Sequence, residues 1–220
     1  AKLFSAEEDG HNLMIAWDSV LACKYNIASS LRINPSSKLV LPHKIEPIIP
    51  DLSEFPKPFY MKNNLLPTSI SIFIPEAPSE EELQTLLAVT AGLGKVSLGD
   101  LDYDVYKADQ FTHSAQSQKN IIIIGKIDSI KPLLEELNLF EEVENKINTV
   151  SLEHGFIFEY QSPWNASNAI LIITGSDELA TLKAGTALSS NSIIPYMDNN
   201  FAVVSEIAAT ATSNQFEIDT

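Results

Sequence analysis

A single cysteine, Cys23, stands among 220 residues. One thiol makes no intrachain disulfide and no four-cysteine zinc site, so neither device staples this chain. Basic residues are also scarce, with 14 Lys and Arg against 29 Asp and Glu and a formal net charge of −15. Phosphate backbones and anionic membrane surfaces are both held by clustered cations, and this balance excludes both as partners. No apolar run approaches the 18 residues of a membrane-spanning helix, and no signal peptide is visible. The chain opens at Ala1 in strand-like sequence and reads as a fragment of a longer protein. What it does have is apolar side chains, 45% of the total, enough to build a sizeable core.

Two grammars share the chain. Residues 12–42 are β-rich, in short runs such as "NLMIAWDSVLACKY" and "SSLRINPSSKLVL" punctuated by Asn, Pro and Ser. Leu13, Ile15 and Trp17, with Leu31, Ile33, Leu39 and Leu41, present more apolar strand face than two or three strands cover alone. Residues 1–45 are therefore read as the end of a β domain. A connector follows over 46–67, dense in Pro47, Pro50, Pro56 and Pro58, expected to run extended and irregular across a surface.

From residue 68 to about 210 the pattern alternates between strands and helices, before a tail at 211–220. "SISIFIP" (69–75), "NIIIIG" (120–125) and residues 169–173 are apolar throughout, as in strands of a parallel sheet buried on both faces. Ser79 with Glu82 three residues on forms a capping box, and Leu83, Leu86, Leu87, Thr90 and Ala91 fall on one helical face. That helix is expected to end at Gly92 or Gly94. "DSIKPLLEELNLFEEVENKI" reads as helix with Pro132 in its first turn, 150–161 as a hairpin or two short strands, 177–189 as helix and 201–207 as a closing strand. Repeated βαβ units predict an α/β fold, a five-stranded, doubly wound parallel sheet of flavodoxin-like type.

Four segments in this order, "IPDLSEFPKPF", "FIPEAPSEEELQTLLAVTAGLG", "NIIIIGKIDS" and "GFIFEYQSPWNASNAILIITGSDE", resemble the B-subunit family of bacterial cellulose synthase. The resemblance spans roughly residues 30–207. It implies jelly-roll, carbohydrate-binding-like domains alternating with flavodoxin-like domains outside the cytoplasmic membrane, the whole anchored by a membrane helix beside the synthase. On that reading 1–45 is the end of such a β-sandwich. The implied role is a non-catalytic accessory subunit with two partners, the synthase catalytic subunit and the growing glucan, and with oligomerisation allowed.

Candidate sites are few. The turn Thr174-Gly175-Ser176 joins a strand to a helix, where α/β proteins hold phosphate or flavin. Yet Asp177 and Glu178 follow it, Glu80-Glu81-Glu82 open the first helix, and Asp128 opens another. Each carboxylate complements its helix dipole and repels a phosphate, so no cofactor is expected. His11, His43, His113 and His154 show no metal-ligand spacing, Ser176 lacks the GxSxG elbow, and Cys23 reads as a small core side chain. Asp100, Asp102 and Asp104 alternate as on a solvated edge strand, without a calcium loop's distal glutamate. No catalytic or metal-ligating residue is assigned. Trp17 and Trp164 are the two candidates for sugar contact, although both sit where core packing also explains them. Two further readings stay open, a flavin- or nucleotide-binding enzyme domain and an acidic module that docks a basic protein.

Overall fold

The computed structural model describes residues 34, 36, 47–61, 69–99, 101–112, 116, 118–150, 153–190 and 192–205. The chain divides at residues 45/46, and the described residues from 47 onward all belong to the second unit. The β-rich reading of 12–42, the tail at 211–220 and the candidates Trp17, Cys23, His11, His43, His113 and Asp100 lie outside the described residues.

Six strands form one sheet: β1 (Ser69–Ile74), β2 (Asp102–Lys107), β3 (Asn120–Ile124), β4 (Gly155–Gln161), β5 (Ala169–Gly175) and β6 (Phe201–Val204), in the order β2-β1-β3-β5-β4-β6. β2, β1, β3 and β5 are parallel, as their continuous apolar runs predict. The sheet is nonetheless mixed and six-stranded, which corrects the expectation of a five-stranded, purely parallel one. β4 runs antiparallel to both β5 and β6. It is one strand and not the hairpin or strand pair expected at 150–161; its partner across the short "SPWNASN" connection is β5.

Side-chain alternation splits the core into two layers. Ile70, Ile72, Ile122, Ile124, Leu171 and Ile173 face one side, where α1 (Glu80–Ser97) and the last helix pack. Phe73, Ile121, Ile123, Ile170 and Ile172 face the other, covered by α2 (Ile127–Glu136) and α3 (Phe140–Ile147). The last helix, α4, spans Glu178–Leu188. All four consecutive isoleucines of β3 are fully buried, which only a sheet covered on both faces allows.

Local chemistry sets the helix boundaries. α1 begins at the Ser79–Glu82 capping box but runs through Gly92 and Gly94, ending where Leu98 (φ 54°) and Gly99 (φ 84°) turn left-handed. The expected single helix over 128–147 is broken into α2 and α3 by Asn138 at φ 56°. Pro132 lies beyond the first turn of α2, on its exposed side, where water can serve the carbonyl it leaves without a donor.

The orientation of α1 differs in part from the sequence expectation: Leu86 of the expected face packs against the core, but Leu83 and Leu87 do not. Leu83 and Leu87 point outward, 42% and 67% exposed, while Glu82, Thr85, Val89, Leu93 and Ser97 face inward. The reason is close helix packing. A Cβ on Gly185 of α4 would run into Thr85 Cγ2, and one on Gly92 would stand 3.0 Å from Ser189 Cα. Small residues let the two helices approach, so leucines cannot occupy that seam.

The proline-rich stretch is built into this domain as a strap along the amino-terminal edge of the parallel strands. Its residues Leu52, Phe55 and Phe59 enter the first core layer. Ile48 N–H donates to Ala166 O and Leu52 N–H to Asn199 O, each at 2.8 Å. Asn120 holds two elements at once, donating through Nδ2 to Pro58 O at 3.0 Å and accepting from Ala169 N–H at 2.8 Å.

Candidate functional site

In an open α/β sheet a ligand binds at the carboxyl ends of the strands, where the strand order reverses. Here the reversal falls between β1 and β3, since the chain passes from β1 outward to β2 and then back to β3. The N-termini of α1, α2 and α4 all open on this edge. Their free N–H groups are what would hold an anion.

Several of these groups are taken by side chains of the chain itself. Ser79 Oγ accepts from Glu82 N–H at 3.1 Å, and Glu82 Oε2 accepts from Ser79 N–H at 2.8 Å. The second oxygen, Oε1, accepts the N–H of Lys126 at 2.9 Å, at the start of α2, where Lys126 itself supplies no side-chain cap. Glu82 is 2% exposed. One buried carboxylate thus caps two helices across the switch point. A charge-assisted bond of this kind is about twice as strong as a neutral one.

The turn Thr174-Gly175-Ser176 is closed in the same manner. Asp177 is the N-cap of α4, its Oδ1 accepting from Ala180 N–H at 2.7 Å. A Cβ on Gly175 would lie 2.5 Å from Ala180 Cβ and 2.6 Å from Thr181 N, so the glycine serves contact between α4 and its own strand. Gly125, after β3, is crowded likewise, by Ile130 Cγ2 at 2.5 Å and Pro75 Cγ at 2.8 Å. Between the turns Lys126 Nζ meets Glu178 Oε1 at 2.9 Å. Each holds the other in its charged form, the lysine's pKa raised by Glu178 and the glutamate's lowered by Lys126. Both are partly exposed, so solvent and salt screen the pair.

Other candidates fall into packing or surface roles. Trp164 is partly buried against the second core layer, its ring centroid 5.9 Å from that of Phe111. Asp102 and Asp104 lie on the exposed edge strand β2, and Asp104 is paired with Lys119 at 2.9 Å, which lowers its pKa. His154 immediately precedes β4, with its Nδ1 buried. A shallow groove of about 260 Å³ lies elsewhere, lined by Ser53, Phe55, Pro56, Val96, Ile194 and Pro195.

Sequence reasoning missed Glu159. This residue of β4 is 3% exposed and accepts the N–H of Asp51 through Oε2 at 2.9 Å. Burial pushes its carboxyl up to about 7, and the nearby Asp51 carboxylate adds to the rise. In "GFIFEYQ" the lone acid between aromatics was a signal of burial, had the strand been taken as covered on both faces.

A family model described as cellulose synthase BcsB, first FD domain, matches residues 51–204. No curated protein matches the chain. The matched span starts inside the strap and ends at the last residue of β6, so it takes in the strap's buried anchors, the whole sheet and all four described helices. The chain belongs to the cellulose synthase BcsB family.

Proposed function

We propose that this chain is part of a non-catalytic accessory subunit of a cellulose or cellulose-like glucan synthase. Its α/β domain acts as a spacer and docking body beside the catalytic subunit, on the outer side of the membrane, where it helps guide the emerging polymer. The full-length subunit is membrane-anchored on this reading, and carbohydrate-binding-like β domains flank the α/β domain. The domain is a flavodoxin-like fold into which β4 has been inserted between β5 and β6.

The observation that carries this reading is the double cap by Glu82. In a cofactor-binding relative of such a fold, the switch point presents free N–H groups to a phosphate. Here a buried carboxylate of α1 takes the N–H groups of Ser79 and Lys126 and so ties the starts of α1 and α2 together. No helix among the described residues is long and apolar enough to cross a membrane.

The test is made in cells that carry the full-length subunit. Removing residues 46–205 is expected to abolish insoluble glucan while the catalytic subunit persists in membranes. Undiminished glucan in cells with the deletion would overturn the proposal.

A further inference from the structure

The strap crosses the sheet edge over a buried acid. Ile157, Glu159 and Gln161 share one face of β4. Gln161 Nε2 donates to Ile48 O at 3.0 Å, and Glu159 Oε2 accepts from Asp51 N–H at 2.9 Å, so two successive residues of that face hold the strap from below. Around Glu159 the neighbours are apolar or acidic. From β5 the cross-strand partner is Leu171, and from the loop before β6 the backbone carbonyl of Asn200 takes the Glu159 N–H at 2.9 Å. That loop also carries Asp198. From the strap comes Asp51, whose carboxylate is engaged by Ser53 N–H and Ser53 Oγ, while the strap's Lys57 is paired with Glu54 at 2.9 Å. No cation is bonded to Glu159 among the described residues.

We propose that Glu159 is a proton-operated latch for the strap, seating residues 47–61 when neutral and favouring their release when ionised. The hydrogen bond from Asp51 N–H favours the ionised form, but the loss of solvation on burial is the larger effect and opposes it. A carboxylate in this slot, 3% exposed and bonded to a strap N–H, is short of water, and lifting the strap would return hydration to it. The proton passes to solvent as the strap opens, and returns as it closes.

The direction in pH follows from linkage. With the strap seated the carboxyl holds its proton up to about pH 7, whereas a hydrated glutamate releases it near 4.5. The seated form therefore binds more protons between those values, and opening grows as pH rises through that window and levels off above it. Below about 4.5 both forms are neutral and the dependence vanishes.

Amide hydrogen exchange on the 220-residue chain, corrected for intrinsic rates, reads this directly. Protection at Ile48, Asp51 and Leu52 is expected to fall with pH between 5 and 7, by up to about tenfold per unit, and then to flatten. Ile122 and Leu171, in the sheet centre, are expected to keep theirs. The variant Glu159→Gln, which retains an acceptor but cannot ionise, is expected to show a flat profile. Should that variant not fold, a carboxyl-carbon NMR titration of the wild-type chain serves instead, with a Glu159 midpoint near 7 tracked by the Asp51 amide shift. Strap protection that ignores pH, an equal loss across the whole sheet, or a Glu159 midpoint in the ordinary carboxylate range would each overturn the latch.

Discussion

Gly175 and Gly94 are the same residue type under opposite constraints, and they separate packing from backbone freedom. At Gly175 an added Cβ meets Ala180 Cβ at 2.5 Å and backbone atoms of residues 180 and 181 within 2.8 Å, so α4 would have to move off β5. At Gly94, inside α1, the same Cβ meets nothing within 4 Å. Gly175→Ala is expected to destabilise the domain by about 1–3 kcal/mol through overpacking. Gly94→Ala is expected to stabilise it by roughly 0.5–1 kcal/mol, because alanine loses less chain entropy in a helix. Urea denaturation of the two variants reads both signs; equal effects would refute the reading of Gly175 as a contact residue. The same residue explains why "TGS" looked like a phosphate turn. A glycine that admits a helix and a glycine that admits a phosphate are spelled alike, and only the atoms opposite it tell them apart.

Helix α1 carries the test at the level of an element. Leu83 and Leu87 face out, Leu86 packs against the core, and the inner face is built from Thr85, Val89 and Leu93 around the α4 seam. Leu87→Ala is expected to change stability by no more than about 0.5 kcal/mol, as at other exposed sites. Leu93→Ala, 1% exposed in the native chain, is expected to cost about 2–5 kcal/mol. Thermal or urea unfolding of the pair decides it, and the reverse ranking would mean that α1 is rotated. The element itself was legible: Ser79 and Glu82 announce its start by a local rule, and the isoleucine run of β3 announces a doubly covered strand. Its facing was not, because the hydrophobic pattern does not encode a crossing set by Gly92 and Gly185 on two distant segments. The same limit hid the long-range half of the site. Glu82 as a capping-box member follows from spacing three, but its bond to Lys126 N–H joins residues 44 apart in sequence. For Glu159 the distance to Asp51 is 108 residues, and no local periodicity records it. The strap was recognised by its prolines as irregular, while the burial of Leu52 and Phe59 beneath it was not.

For the whole molecule, charge and architecture point the same way. With 29 acidic residues against 14 basic ones, the field around the chain repels anionic ligands before they reach the sheet. At the carboxyl edge Glu82, Asp177 and Glu178 occupy or guard the helix termini, so the local potential adds to the global one. In this member of the cellulose synthase BcsB family, carboxylates of the chain cap helix starts at the switch point. The most direct measurement is a titration of flavin mononucleotide with the purified chain, followed by flavin fluorescence at low ionic strength, where any binding is easiest to see. No quenching is expected up to high micromolar protein. Saturable quenching with a micromolar Kd would contradict the claim that the chain's own carboxylates close the switch point.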